Sequence, residues 1–245
     1  PQAVSAYLST KSLAEVDRVK RDIIRLYDKD FIRIDPTGKA SAMFKAIPSE
    51  LTRNSSRYQV ASVTENGRAN RLLETITNMG ESMVVNMAYH ANDPGPGMAF
   101  HKDTSTFKMF VGDTGLFVTL AFWDKEFTDN VIYQKLLTDK LSKDLGYVYE
   151  NVVAQMLVAS GNELYYHTFP TESGKHRYEV DFLIPDGDKV VPIEVKSSGY
   201  KAHVSLDAFC TKFSSRVSRP YLIYTKDLRK EGNLLYLPVY MTMFL

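Results

Sequence analysis

Two apolar runs constrain this chain more than any other feature: Tyr178-Glu179-Val180-Asp181-Phe182-Leu183-Ile184, and Val190 to Lys196 ending Ile193-Glu194-Val195-Lys196. Their β-branched and aromatic content predicts buried strands, yet both carry acidic residues and the second adds a lysine. A buried charge is costly unless it is paired or bound to a metal. Pro185-Asp186-Gly187-Asp188 between the runs predicts a hairpin. With Gly187-Asp188 at its tip, Asp181 falls opposite Glu194. Alternation puts Glu194 and Lys196 on one face, Ile193 and Val195 on the other, and Asp181 on the face opposite Val180 and Phe182.

Two carboxylates that close repel, and one takes up a proton unless a cation sits between them. A hard divalent ion, Mg²⁺ or Mn²⁺, suits such oxygen ligands, completed by waters and a substrate phosphate. The expected metal ligands are Asp181, Glu194 and the backbone carbonyl of Val195. Lys196 is placed to orient or help deprotonate an attacking water and to neutralise charge on a scissile phosphate. Glu150, at the edge of the apolar stripe of the preceding helix, can reach the same point. Asp181, Glu194, Lys196 and Glu150 are therefore the candidate catalytic residues. The bland alternative is an edge hairpin with a solvated polar face, since a Glu-x-Lys triplet is common by itself. Here it is the only [Asp/Glu]-x-Lys of the chain, and it falls inside an apolar strand.

Composition sets few further limits. The 245 residues are 44% hydrophobic and 24% charged with net charge +1, so no broad basic footprint marks a nucleic-acid binder. No apolar run approaches membrane-spanning length and no signal-peptide pattern is present, so a cytoplasmic location with no membrane partner is expected. The single cysteine, Cys210, excludes an internal disulfide framework and suits a reducing compartment. His90, His101, His167, His176 and His203 lack ligand spacing and read as surface or loop residues. Met79, Met83 and Met87 read as packing, and Trp123 as packing at a domain junction. The chain starts at Pro1, in what reads as mid-protein sequence.

Ser12-Leu13-Ala14-Glu15 is a capping box opening an amphipathic helix to about Tyr27. A helix is expected over Ala40–Ile47, with Pro48 opening a separate short one through Leu51. Another covers Asn66–Met79, with Gly80 as its C-cap. Strands at Ser82–Tyr89 and Phe107–Val111 enclose a Pro/Gly-rich loop, and Asp113-Thr114-Gly115 leads into a short apolar segment. Helices followed by a two-stranded wing are the pattern of a winged-helix domain. On it Arg68, Arg71 and Asn78, with Arg53 and Arg57 upstream, form a candidate DNA-binding surface. A solvated face of a scaffold or docking module is the competing reading.

From about Phe127 the expected order is a helix (Asn130–Leu141), a stronger helix (Leu145–Ala159), and strands at Glu163–Phe169, Tyr178–Ile184 and Val190–Ser197. A helix (His203–Phe213) and strands at Arg219–Thr225 and Leu234–Leu237 follow.

The hairpin resembles the PD-(D/E)xK nuclease motif, with Asp181 as its aspartate and Glu194-Val195-Lys196 as its second half. Val180 stands where that motif has proline. More broadly, the chain resembles the C-terminal region, of unknown function, of prokaryotic AAA-type ATPases. The resemblance rests on Leu26 to Phe31, Ile47 to Leu51, Phe107 to Leu116, Tyr149-Glu150-Asn151, Ser205-Leu206 to Phe209, and Asn233 to Tyr240. It implies an α+β or α/β chain. A helical, winged-helix-like domain spans 1–125, followed at 126–245 by a restriction-endonuclease-like αβββαβ domain with a mixed central sheet, both behind a P-loop ATPase. No Gly-x-x-x-x-Gly-Lys-Ser/Thr occurs, so no ATP site is expected in this chain. The expected partners are DNA and the ATPase domain of the same protein, with oligomers open. The expected function is DNA processing by a metal-dependent endonuclease module. The alternative is a non-catalytic DNA-binding or protein-interaction module that keeps the nuclease fold.

Overall fold

The computed structural model describes residues 1–53, 55–63, 72–124 and 146–245. Its elements are α1 (Gln2–Thr10), α2 (Leu13–Ile34), α3 (Lys39–Thr52), α4 (Leu73–Glu81), β1 (Val85–Ala91), β2 (Lys102–Val111) and α5 (Thr114–Ala121). They continue with α6 (Gly146–Ala159), β3 (Leu164–Pro170), β4 (Arg177–Asp186), β5 (Lys189–Val195), α7 (Val204–Lys212), β6 (Tyr221–Tyr224), β7 (Arg229–Glu231) and β8 (Leu234–Pro238). The chain is thus α+β around a mixed eight-stranded sheet in the order β2-β1-β3-β4-β5-β6-β8-β7. The predicted helix at Asn130–Leu141 and the start of the one at Asn66 lie outside the described residues.

Capping signals act as read. The Ser12 hydroxyl accepts from the Glu15 N–H at 3.3 Å and starts α2, which runs seven residues past the expected end at Tyr27. The Asp113 carboxylate accepts from the Leu116 N–H at 2.9 Å and starts α5. Pro48 does not open a new helix, because α3 runs through it to Thr52. Met43, Phe44, Ile47 and Pro48 are all buried, and their common packing outweighs the hydrogen bond that proline removes. Met83 departs from the packing stripe expected of it. It is exposed, with a positive φ, at the turn between α4 and β1.

The two-stranded wing is corrected by the topology. β1 and β2 pair antiparallel, but β1 also pairs in parallel with β3 through Ala88↔Leu164, Tyr89↔Tyr165 and His90↔Tyr166. The reason lies in their side chains. Val85, Phe107, Met109 and Val111 bury against α2, α3 and α5, while Ala88 and Phe110 join the core beneath α6. A pair apolar on both faces cannot stand in solvent. α6 bridges the two cores, its Val148 in the first and Val153, Ala154 and Leu157 in the second. α7 covers the other face of β3–β5 through Leu206 and Phe209.

A polar clamp fixes α6 to β2 and α5. The buried Asn151 amide accepts from the Val111 N–H at 2.8 Å and donates to the Val111 carbonyl at 3.0 Å and the Thr114 hydroxyl at 3.0 Å. One turn on, Gln155 Oε1 accepts from the Thr114 N–H and hydroxyl, each at 2.8 Å. Gly112 lets the backbones close, since a Cβ there would lie 2.9 Å from the Met83 carbonyl oxygen. No described helix is long and apolar enough to cross a membrane.

Candidate functional site

The hairpin forms with the expected register. β4 and β5 pair from Asp186↔Lys189 to Phe182↔Ile193 around Gly187-Asp188, and Gly187 has φ +60°. Carrying that register one step further sets Asp181 opposite Glu194. There the β4–β5 ladder gives way: the Val195 N–H donates to Asp181 Oδ2 at 2.7 Å, while on its other edge β5 pairs with β6 through Ile193, Glu194 and Val195.

Asp181 does not face away from both of its neighbours. Val180 belongs to the core under α7 and Phe182 to the core under α6, so strict alternation fails between them. The β3–β4 register shifts between Tyr165 and His167 at the same place. This β-bulge re-aims one side chain out of its regular sequence, as bulges near functional sites do.

The result is an acidic cavity of about 750 Å³ lined by Glu50, Glu150, Glu179, Asp181 and Glu194. Glu194 is buried. Its Oε1 is 2.7 Å from Lys196 Nζ, while its Oε2 has no hydrogen-bond partner. A lysine missed in the sequence, Lys108 of β2, is buried beside them, ion-paired with Glu179 and 5.3 Å from the Tyr166 ring centre. The signal for it was available, since Phe107-Lys108-Met109-Phe110 places a charge in an apolar run just as the hairpin does.

The electrostatics follow from burial. Desolvation first, and the Asp181 charge second, push both the Glu150 and Glu194 carboxyls up to about 7. Burial also raises Asp181, partly offset by Lys108. For Lys196 and Lys108 burial opposes the charged form, but the surrounding carboxylates outweigh it and both ammonium groups are held more firmly than usual. Burial and mutual repulsion thus favour a proton, or a bound cation, at the Glu150 and Glu194 carboxyls.

Among the described residues no three His, Cys, Asp or Glu side chains stand together as a ready-made metal site. The donors still suit a hard cation. Asp181 and Glu194 are adjacent in register, and the buried Glu194 Oε2 is an uncommitted acceptor. Mg²⁺ typically takes one or two carboxylates and fills its shell with water and substrate oxygens. Val195 contributes its N–H to orienting Asp181.

Of the residues expected on a separate DNA-binding face, Arg53 and Arg57 line this same cavity, joined by His176 and Arg177. Asn78 lies on α4, whose Thr77, Gly80 and Glu81 border a different cavity. Arg68 and Arg71 lie outside the described residues. The histidine reading also needs correction. His167 is buried against Phe169, Phe209 and Phe213, its Nδ1 2.7 Å from the Ala91 carbonyl oxygen, and burial pulls its pKa down to about 4. His90 stacks on it. Trp123 lies against Arg21 and Arg25 of α2, 5.1 and 5.7 Å from the guanidinium carbons.

No curated protein and no solved structure matches the chain. Residues 145–241, which hold Glu150, Asp181, Glu194 and Lys196, match Domain of unknown function (DUF4143), typically a C-terminal region of AAA ATPase proteins. Residues 1–126, which hold Arg53, Arg57 and Lys108, match Domain of unknown function (DUF8612). With that match covering just over half of its length, the chain belongs to the DUF8612 family.

Proposed function

We propose that this cavity hydrolyses phosphodiester bonds in DNA, with Mg²⁺ or Mn²⁺ as cofactor, in a restriction-endonuclease-like domain that works joined to an ATPase. The observation that carries the reading is the half-buried Asp181 set opposite the buried Glu194 beside Lys196, with the Glu194 Oε2 uncommitted, in a cavity whose rim carries arginines.

Asp181 and Glu194 would hold the cation, which when bound supplies a polarised water and positive charge beside the scissile phosphate. The Val195 N–H fixes the rotamer of Asp181. Lys196 Nζ, tethered to Glu194, keeps N–H donors for an attacking water or a non-bridging phosphate oxygen. Lys108, fixed by Glu179, lowers the repulsion that the cavity's carboxylates would otherwise present to an incoming polyanion. Glu150 approaches from α6 and stands near the Asp181 charge.

The absence of a ready-made three-residue ligand set among the described residues favours a second reading, a DNA-binding or protein-docking module that keeps the fold without the chemistry. Supercoiled plasmid with Mg²⁺ or Mn²⁺ separates the two. Wild type should nick it, and Asp181→Ala, Glu194→Ala and Lys196→Ala should each lose about 10²-fold or more in rate. If wild type leaves the plasmid intact even when joined to its ATPase, hydrolysis is excluded and the second reading stands.

A further inference from the structure

Arginines of this protein are mostly neutralised in place. Arg53 pairs with Glu50 at 2.6 Å, Arg21 with Asp17 at 2.7 Å and Arg25 with Asp22 at 2.8 Å. Arg57 and Arg177 differ. Neither has a carboxylate within ion-pair distance among the described residues, and both line the acidic cavity. Arg177 is braced instead by neutral acceptors: its Nη2 donates to the Thr168 carbonyl at 2.8 Å and to the Thr168 hydroxyl at 3.0 Å, and its Nε to that hydroxyl at 3.2 Å. Its position is thereby fixed while its charge stays uncompensated. Arg57 is exposed, and the backbone beside it is anchored where the Tyr58 N–H donates to the Phe107 carbonyl at 2.8 Å and Tyr58 stacks on Phe107.

A guanidinium beside this cavity's five carboxylates ordinarily folds onto one of them, as Arg53 does onto Glu50. Two that remain apart, supplied by different segments of the chain, keep their charge and free N–H donors, Nη1 in the case of Arg177, for an incoming anion, and phosphate is one that guanidinium groups bind well. We propose that Arg57 and Arg177 are positioning residues that grip backbone phosphates of a nucleic-acid strand and hold it over Asp181 and Glu194. This assignment rests on reading the cavity as a phosphodiester site. Gripping is sequence-independent and needs no metal, because it uses only charge and the guanidinium donors.

The test measures binding apart from hydrolysis. The whole chain is titrated against a fluorescent DNA duplex in EDTA, across a salt series, as wild type, Arg57→Gln and Arg177→Gln, with Lys230→Gln on the exposed strand β7 as control. Each arginine variant should bind about tenfold more weakly at moderate salt and lose about one unit of salt slope, and the control should match wild type. Arg57→Gln sits on an exposed loop and keeps the test sound if Arg177→Gln fails to fold. Wild-type affinity and slope in Arg57→Gln, or no duplex binding by wild type, overturns the grip. Selective loss of binding in a protein that never nicks plasmid leaves the grip intact and removes only hydrolysis. A nicking enzyme whose arginine variants bind normally does the reverse.

Discussion

Glu194 and Glu150 are where the cost of this arrangement is concentrated. Burial and the neighbouring Asp181 raise both carboxyls from their ordinary 4.5 to about 7. Across that interval the folded protein binds more protons than the unfolded chain, so stability falls as pH rises through it and stays lower above. In EDTA the melting temperature should therefore drop between about pH 4.5 and 7.5, and Glu194→Gln should flatten the drop. A melting temperature that climbs over that window contradicts the assignment. Adding Mg²⁺ at pH 8 should restore part of the loss, because a ligand that binds only the folded form stabilises it by mass action. Asp181, Glu194 and Lys196 were legible because two-residue alternation and a two-residue turn fix a hairpin's register. The facing of Asp181 was not, because the bulge arises from pairing with β3, and no local pattern announces it. Arg57 and Arg177 were invisible as a pair, being joined only by the fold.

At the scale of elements, the polar clamp between α6 and the β2–α5 turn decides whether Glu150 reaches the cavity. Asn151→Ala removes the partner of both the N–H and the carbonyl of buried Val111. Two buried orphans at about 1–3 kcal/mol each predict a loss of about 2–6 kcal/mol in urea unfolding. A loss under about 1 kcal/mol would mean that water takes over the amide's role. Helices and strands were largely legible from their caps and periodicity, as Ser12, Asp113 and the α6 stripe illustrate. The continuation of α3 through Pro48 was not, since it depends on packing against elements far along the chain. β7, three exposed residues long, has no apolar signal to detect.

For the whole molecule, the parallel β1–β3 pairing carries one sheet across both matched segments. Unfolding should therefore be a single transition. Trp123, the only tryptophan, lies against α2 and reports the first segment, whereas far-UV circular dichroism reports all of it. The two denaturation curves should coincide, and an early Trp123 transition would show that the segments melt apart. The wing was misread because Ala88 and Phe110 look like ordinary strand residues until the partner covering them is known.

The seam between the segments has a consequence for how such chains can vary. It includes three residue pairs, Ala88↔Leu164, Tyr89↔Tyr165 and His90↔Tyr166, the clamp of Asn151 and Gln155 on Val111 and Thr114, and the Lys108–Glu179 ion pair. A chimera taking residues 1–126 from one relative and the remainder from another must match all of these contacts at once. Otherwise Lys108 is parted from Glu179, leaving a buried ammonium without its partner. Substitutions at the seam should accordingly travel in sets, and the two segments should be exchanged between lineages together or not at all.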